Sequence, residues 1–238
     1  MIAIGRFGAA INYDELYQQL AADGIFLIHS PEQHLLASEL PRWYSLLDGL
    51  TPKSLCFSEP PDIAVLEQEI GFPLFLKGSR QTSRHKAALS IIRTAEDYYR
   101  AIEIYKEDPI LRWQDLVCRE FVQLRPVPSE PTEEIPPSFE FRSFGWRGKC
   151  VGAGQYWSTS YRWNLEGERA ALAIAQAAAL RLNLPFVVID VAQTVTGEWI
   201  VIECNDSQES GYAAISPFGL WQNLIDEERK LAGLRRNV

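Results

Sequence analysis

Three side chains that carry oxygen atoms meet at one end of a predicted β-hairpin. Asp190 lies in the apolar run 186–191, Glu203 lies in the apolar run 199–204, and Asn205 follows directly. A turn signal at Thr196-Gly197 separates the two runs, so the simplest structure is an antiparallel pair in which Asp190 faces Glu203. Asn205 is two residues beyond Glu203 and therefore projects from the same face of the strand.

Two carboxylates that face each other need a positive partner. They repel by about 0.2–1 kcal/mol across a strand pair even at a surface, and more in a half-buried site. A hard divalent cation such as Mg²⁺ fits, because it prefers oxygen ligands and requires neither His nor Cys. The alternative is a surface hairpin whose acids are solvated. Cys204 points to the opposite face and is predicted to be a core residue.

A second group of charges follows a short apolar strand predicted at 73–77. Lys77 ends this strand, and the polar segment 78–86 supplies further cations, namely Arg80, Arg84, His85 and Lys86. Ammonium groups and backbone donors of this kind can cover a polyphosphate. A second strand is expected at 87–92. The alternative is an exposed basic loop, although a Lys at the end of an apolar strand usually has an anionic partner.

A third pattern predicts a hairpin of strands 138–146 and 149–157 with a turn at Arg147-Gly148. Alternation places Glu140 and Arg142 on one face, where they form either part of a site or an ion pair exposed to solvent. The hairpin and its flank are rich in aromatic residues (Phe139, Phe141, Phe144, Trp146, Tyr156, Trp157, Tyr161 and Trp163). Aromatic residues are enriched at protein interfaces, but we expect about two thirds of these to be core residues.

The remaining pattern supplies the elements that position these groups. Residues 1–70 predict a small α/β unit with helices at 13–22, at 31–50 with an interruption at Pro41, and at 63–70, and with strands at 25–29 and 54–57. A helix at 95–106 and a strand at 116–124 follow. The segment 125–137 has five prolines and predicts no regular element. An alanine-rich helix at 165–182 precedes the hairpin of Asp190, and a final helix is predicted at 217–231.

Composition excludes several classes of protein. The 238 residues are 47% hydrophobic with a formal net charge of −8, which argues against non-specific binding to nucleic acid. No run of apolar residues is long enough to span a membrane, and the first residues do not resemble a signal peptide. The four cysteines show no paired spacing, so we expect free thiols in the reducing cytoplasm.

The order of these motifs from Lys77 onward resembles the ATP-grasp superfamily. The matching features are the strand ending in Lys77, the loop 78–86, the CREFV segment at 118–122, Glu140-x-Arg142, the helix at 166–182, and Asp190 with Glu203-x-Asn205. Over about residues 72–230 the chain most resembles the divergent clade named for one arginine and two lysines. The resemblance implies an α+β ATP-grasp fold, with a small N-terminal α/β domain at 1–71 and an ATP-grasp domain at 72–238. The latter divides into an ATP-lid subdomain at 72–124 and a metal-binding subdomain at 138–238.

The resemblance also implies roles for individual residues. Lys77 and Lys86 contact the phosphates or the adenine edge of ATP, and Glu120, Phe121 and Val122 form the adenine hinge. Arg142 holds the phosphates or the reacting acyl phosphate, so that Arg142 and Lys77 are the catalytic candidates. Asp190, Glu203 and Asn205 bind Mg²⁺. The sequence departs from the wider family in its phosphate loop, which has one glycine, and in the segment after Asn205.

Two functional hypotheses follow from the resemblance. The first is an ATP- and Mg²⁺-dependent carboxylate–amine ligase that acts through an acyl phosphate on a peptide, an amino acid or another small acid. The second is an ATP-binding assembly factor or protein-interaction module without ligase turnover, similar to relatives that assemble a translation initiation factor. A structural protein with decayed sites is a third possibility, which the complete set of metal ligands disfavours. In none of these do we expect a nucleic acid or a membrane as partner.

Overall fold

The computed structural model of the protein describes residues 1–8, 12–80, 85–130, 133–157 and 165–236. Its strands are β1 (Ile2–Ala3), β2 (Phe26–Leu27), β3 (Ser54–Phe57), β4 (Leu74–Gly78), β5 (Ile91–Ile92), β6 (Leu116–Glu120), β7 (Glu140–Trp146), β8 (Lys149–Gln155), β9 (Phe186–Gln193) and β10 (Trp199–Asp206). Its helices are α1 (Tyr13–Ala22), α2 (Pro31–Ser38), α3 (Leu40–Trp43), α4 (Ile63–Glu69), α5 (Ala87–Ser90), α6 (Ala95–Glu107), α7 (Leu165–Leu182) and α8 (Pro217–Arg236), with a 3-10 turn at Tyr44–Leu47. Each helix in these ranges is too short or too polar to span a bilayer.

The N-terminal segment begins with a small parallel pair of strands. β1 pairs with β2 in parallel, and α1 connects them. The strand predicted at 25–29 is shorter than expected, and the helical segment predicted at 31–50 divides into α2, α3 and the 3-10 turn. Ser30 starts α2 with a capping box: its side chain accepts from the Gln33 amide, and the Gln33 side chain accepts from the Ser30 amide.

The first of two four-stranded sheets has the order β3-β6-β4-β5, and all of its neighbours are antiparallel. One face carries Leu74, Leu76 and Cys118, which pack against α6 in an apolar core. Because strand residues alternate between faces, Phe75, Lys77 and Arg119 project from the opposite face. The strand predicted at 87–92 is wrong in its first part: residues 87–90 form the helical turn α5, which the helix-favouring sequence Ala-Ala-Leu-Ser allows.

The second sheet has the order β10-β9-β7-β8 and is also antiparallel. Val187, Ile189 and Val191 face α7, whose alanines allow a close approach of the helix to the sheet. Phe186 and Val188 face the other side, where Leu220 and Leu224 of α8 cover them. Asp190, Arg142 and Glu140 continue this second face beyond the part that α8 covers.

The turn between β7 and β8 agrees with the sequence. Arg147 and Gly148 have φ of 45° and 77°, the two positive values that a two-residue hairpin turn requires.

The aromatic residues predicted in and around this hairpin can be compared with their burial in the structure. Phe139, Phe141, Phe144 and Trp146 are buried, as expected for core residues. Tyr161 and Trp163 lie outside the described residues.

Two further expectations concern the chain between the sheets. The described parts of 125–137 hold only isolated bridges, which confirms that this proline-rich segment forms no regular element. β3, which was predicted within the N-terminal unit, pairs with β6 and so belongs to the first sheet. The domain division at residue 71 stays a prediction. β3 precedes this boundary and pairs with β6, which follows it.

Candidate functional site

A cavity of about 620 Å³ opens between the two sheets. Its wall includes charged residues from both sheets, aromatic residues and the segment that follows β6. The wall residues considered below are Ser38, Phe75, Lys77, Arg80, His85, Glu120, Phe121, Val122, Glu140, Arg142, Tyr156, Trp157, Ile200, Ile202, Glu203, Asn205 and Glu209. Of the residues predicted for the site, Lys86 and Asp190 are not in the wall.

One end of the cavity is largely apolar. Glu120, Phe121 and Val122 come at the end of β6, and the side chains of Phe75, Ile200 and Ile202 lie in the same wall. Glu120 is exposed, whereas Phe121 and Val122 are half-buried. A flat apolar ring fits this end, since backbone groups at a strand end can bond its edge while the side chains contact its faces.

Lys77 joins the two sheets across the cavity. Its Nζ lies 3.0 Å from Glu203 Oε1, and the Lys77 side chain is buried. Burial alone raises the pKa of Glu203, but the charge and hydrogen bond of Lys77 outweigh it, so that the pKa of this carboxyl lies below its usual value. Lys77 therefore has the anionic partner that is expected of a lysine at the end of an apolar strand.

Arg142 and Asp190 form a second buried ion pair within the second sheet. They are direct partners in the β7–β9 register, and the guanidinium donates from Nε to Oδ1 at 2.8 Å and from Nη2 to Oδ2 at 2.6 Å. Arg142 also donates to the Gly211 carbonyl at 2.9 Å. Burial raises the pKa of Asp190, and the guanidinium opposes this rise. The pair is bidentate, the strongest geometry for Arg with a carboxylate.

Glu140 is a cavity residue to which the sequence assigned no role. It is buried and accepts a hydrogen bond from Trp157 Nε1 at 2.8 Å. Burial, together with the nearby charge of Asp190, raises the pKa of Glu140 to about 8. The interpretation of Glu140 and Arg142 as a solvated ion pair is wrong, because both are buried and each has a different partner. Their alternation along β7 was the sequence signal that could have identified Glu140.

The predicted metal ligands come together as the hairpin implies. Glu203 is the direct partner of Asp190, which confirms the predicted register, and a β-bulge lies between Val201 and Glu203. Glu203 and Asn205 line the cavity, whereas Asp190 lies behind Arg142. Among the described residues, no three His, Cys, Asp or Glu form a group that could hold a metal unaided. The oxygen donors nevertheless suit Mg²⁺, which commonly takes one or two carboxylates together with substrate phosphates.

The remaining cations differ in position. Lys86 is exposed and lies outside the cavity wall, so its predicted contact with ATP stays a prediction. Arg80 is buried in the wall. His85 also lies in the wall, where burial and the charge of Lys77 lower its pKa to about 3. The rest of the predicted phosphate loop, including Arg84, falls outside the described residues.

A buried polar network behind Arg80 was not predicted. Arg80 Nη2 donates to His34 Nε2 at 2.9 Å, so the His34 proton is on Nδ1, which lies 2.9 Å from Asp206 Oδ2. The same Arg80 nitrogen lies 3.0 Å from Glu209 Oε2. Burial raises the pKa of Asp206, but the close imidazoles of His29 and His34 bring it below its usual value. These contacts join α2 to the end of β10 over a long sequence separation, which no local pattern reveals.

Three arginines hold the segment 206–212, which follows the predicted metal ligands. Arg6 donates to the carbonyls of Ser207 at 2.5 Å and Ser210 at 2.7 Å. Arg80 binds Glu209, and Arg142 binds the Gly211 carbonyl. This segment departs in sequence from the wider family, and it is fixed from three directions.

Two antiparallel sheets that enclose a cavity, with a hinge segment at one end and paired charges at the other, define the ATP-grasp fold. The chain belongs to this family: a model of the ATP-grasp domain, for family 3 of the clade named for one arginine and two lysines, matches residues 66–224, more than half of the sequence. The resemblance derived from the sequence is thereby confirmed, as is the α+β fold class.

Solved structures agree with the fold. The chain superimposes on the D-alanine–D-alanine ligase of Bacillus anthracis complexed with ATP with a TM-score of 0.63 at 15% identity, covering 96% of this chain and 79% of that chain. For the RimK domain ATP-grasp protein of Sphaerobacter thermophilus the TM-score is 0.60 at 18% identity, covering 88% and 73%. For N5-carboxyaminoimidazole ribonucleotide synthetase of Thermotoga maritima it is 0.55 at 17% identity, covering 81% of this chain and 48% of that longer one. Among curated proteins, no sequence matches significantly.

Proposed function

We propose that the protein is an ATP- and Mg²⁺-dependent carboxylate–amine ligase. The observation that carries the proposal is the division of the cavity: an apolar end at the hinge residues 120–122, and an opposite end where Lys77, Arg142 and Glu203 meet from two sheets. A purine nucleotide has the same division between its base and its phosphates. Family membership supports ATP as the nucleotide, and the ligase names of the structural neighbours support the reaction class.

In the proposed reaction, a substrate carboxylate oxygen attacks the γ-phosphorus of ATP. The bond from the γ-phosphorus to the β–γ bridging oxygen breaks, which gives an acyl phosphate and ADP. An amine then attacks the acyl carbon, phosphate leaves with the electron pair of its bond to that carbon, and the ammonium proton passes to a base or to solvent. The protein contributes position and charge rather than a nucleophile of its own.

The residue roles in this proposal follow the chemistry of each side chain. Lys77 and Arg142 neutralise the developing charge on the transferred phosphoryl group, and Glu120, Phe121 and Val122 hold the adenine. Asp190, Glu203 and Asn205 would hold Mg²⁺, which offsets the phosphate charge when bound. Lys86 completes the phosphate contacts from the loop 78–86. The acid and the amine are the proposed partners, and the four cysteines, all free thiols, accord with the cytoplasm that we propose as the compartment.

The nucleotide site is tested by calorimetric titration of MgATP into the wild type and into Glu203→Ala. We expect binding in the wild type and a loss of at least tenfold in affinity in the variant, because the variant lacks a proposed metal ligand. Glu198→Ala is the matched control, since Glu198 is exposed in the turn of the same hairpin. Circular dichroism establishes that each variant is folded. Absence of wild-type binding at millimolar MgATP would contradict the proposal.

Turnover distinguishes a ligase from an assembly factor that only binds ATP. Hydroxylamine captures acyl phosphates as hydroxamates, so an acid that yields both ADP and hydroxamate identifies the activated substrate without knowledge of the natural amine. MgATP binding without ADP formation, for a broad panel of acids and amines, would favour the assembly factor.

A further inference from the structure

Arg80 is a buried cation in the cavity wall that binds other side chains through a single nitrogen of its guanidinium group. Nη2 donates to His34 Nε2 at 2.9 Å and lies 3.1 and 3.0 Å from the two carboxylate oxygens of Glu209. Within the described ranges, Nε and Nη1 make no hydrogen bond, although the side chain is only 7% exposed. These two nitrogens are therefore donors that the cavity wall offers to an anionic group of a ligand.

Ser38 adds a second unused polar group to the same part of the wall. It lies one helical turn after His34 on α2, so the two side chains share a face of the helix. The Leu40 amide donates to the Ser79 carbonyl at 2.9 Å, which fixes the end of α2 beside Arg80. Ser38 Oγ is buried and has no hydrogen-bond partner among the residues that the structure describes. A buried hydroxyl in this state is costly unless a ligand supplies the missing partner.

Glu209 determines which kind of anion fits beside Arg80. The sequence groups Arg80 with the cations that could cover a polyphosphate, but Arg80 is paired with the Glu209 carboxylate in the cavity wall. A polyphosphate has no positive group and would bring further negative charge up to this carboxylate. A zwitterion satisfies both members of the pair, because its carboxylate faces the guanidinium and its ammonium faces Glu209. The compounds that carry these two charges on one carbon are the α-amino acids.

The pair of Arg80 and Glu209 lies beside the proposed phosphoryl end of the cavity. Arg80 follows Lys77 by three residues, and Glu209 precedes Gly211, whose carbonyl accepts from Arg142 at 2.9 Å. The carboxylate that attacks the γ-phosphorus has to lie near Lys77 and Arg142. A carboxylate held by Arg80 is therefore a different one, which does not react. The substrate bound at this pair supplies its amine instead.

We infer that Arg80, Ser38 and Glu209 bind the amine substrate, and that this substrate is a free α-amino acid. The inference rests on the proposed function, because it takes the carboxylate–amine ligase as given. Arg80 and Ser38 donate to the carboxylate of the amino acid, and Glu209 accepts from its ammonium group. A simple amine lacks the carboxylate, and in a peptide the two charged groups are on different carbons. The three side chains orient the substrate, while the bonds that form and break are those of the proposed reaction.

Binding of each common amino acid, compared with its carboxamide and its N-acetyl derivative, tests this inference. Calorimetric titrations use protein saturated with MgADP, so that a nucleotide is present without turnover. We expect at least one amino acid to bind, and both of its derivatives to bind at least about tenfold more weakly, because each lacks one charge. Arg80→Gln should weaken binding of that amino acid about 10- to 100-fold and bring its affinity close to that of the amide. Ser38→Ala should weaken it about 3- to 10-fold.

Two further variants separate binding from structure. Arg42→Gln removes a charge from an exposed ion pair with Glu39, close to the end of α2, and should leave every affinity unchanged. Arg80→Lys keeps the charge if Arg80→Gln does not fold, and should keep part of the preference for the amino acid over its amide. An equal loss of affinity for the amino acid, its amide and MgADP would overturn the inference, as would a wild type that binds MgADP but no amino acid. A wild type that binds no MgADP would instead remove the proposed function together with the inference.

Discussion

At the scale of the residue, the carboxyl groups of the cavity differ in their charge at neutral pH. Lys77 keeps Glu203 ionised, because its charge and hydrogen bond favour the carboxylate. Glu140 accepts hydrogen bonds from Trp157 and Ser138 and, in the described part of the wall, has no cation bonded to it. Glu203 is therefore ionised, whereas Glu140 favours the protonated form. The difference arises from the partners of the two side chains, because both are glutamates.

The raised pKa of Glu140 predicts how stability depends on pH. The folded-state pKa is about 8, above the ordinary value of 4.5, so the folded protein holds a proton that the unfolded chain has released between these values. The contribution of Glu140 to the free energy of unfolding is therefore largest below about pH 4.5 and falls as the pH rises towards 8. Glu140→Gln, which keeps an acceptor for Trp157, should remove this dependence.

Urea denaturation at several pH values between 5 and 8 measures this effect. The difference in unfolding free energy between Glu140→Gln and the wild type should shift in favour of the variant as the pH rises. Glu130→Gln, an exposed acid in the proline-rich segment, is the matched control and should show no such trend. A pH-independent difference for Glu140→Gln would show that the carboxyl is ionised in the folded protein throughout this range.

At the scale of the element, α2 connects the N-terminal segment to the site. It carries His34, which orients Arg80 and binds Asp206, and it ends at Ser38 in the cavity wall. Its start is fixed by Ser30 through the capping box, and Pro31 is preorganised for the first helical turn. The geometry of Arg80 therefore depends on the start of a helix far from it in sequence.

Ser30→Ala should reduce the free energy of unfolding by about 1 kcal/mol, because the first turn of α2 loses a side-chain acceptor. Thermal or urea denaturation measures the change. Ser45→Ala is the control, since Ser45 is exposed in the 3-10 turn and should vary by less than about 0.5 kcal/mol. Equal effects of the two substitutions would mean that the cap of α2 does not contribute to stability.

Local patterns predicted the elements better than their partners. Two apolar runs and the Thr196-Gly197 turn identified the β9–β10 hairpin and the pairing of Asp190 with Glu203, and the Arg147-Gly148 turn identified β7–β8. The strand predicted at 87–92 was partly wrong because a short apolar run fits a helical turn equally well. The pairing of β3 with β6 and the bonds of Arg142 and Arg80 depend on sheet order and on contacts distant in sequence, which periodicity does not encode.

At the scale of the whole molecule, the N-terminal segment shares a core with the second sheet. Ala37, Leu40, Trp43 and Leu47 are fully buried in the same cluster as Val187, Ile189 and the alanines of α7. Arg6, near the start of the chain, donates to the carbonyls of Ser207 and Ser210 in the segment after β10. These contacts predict that residues 1–50 are required for the rest of the chain to fold.

A chain that begins at residue 51 tests this dependence. Removal of the segment exposes the apolar face of α7 and leaves Asp206 without the buried imidazoles of His29 and His34, so we expect no cooperative unfolding transition and strong binding of a hydrophobic dye. Circular dichroism during thermal denaturation measures the transition. A truncated chain that unfolds cooperatively would show instead that residues 51–238 fold without the first fifty.

The bond between Lys77 and Glu203 has a consequence for the form in which a nucleotide can enter. The two residues belong to different sheets, so their bond connects the sheets across the cavity. Under the proposed function, a ligand that separates them must satisfy both. Metal-free ATP offers an anion to the lysine and leaves the carboxylate facing another negative charge. MgATP supplies the anion and the cation together, so a single ion pair favours the metal-loaded nucleotide over the bare one.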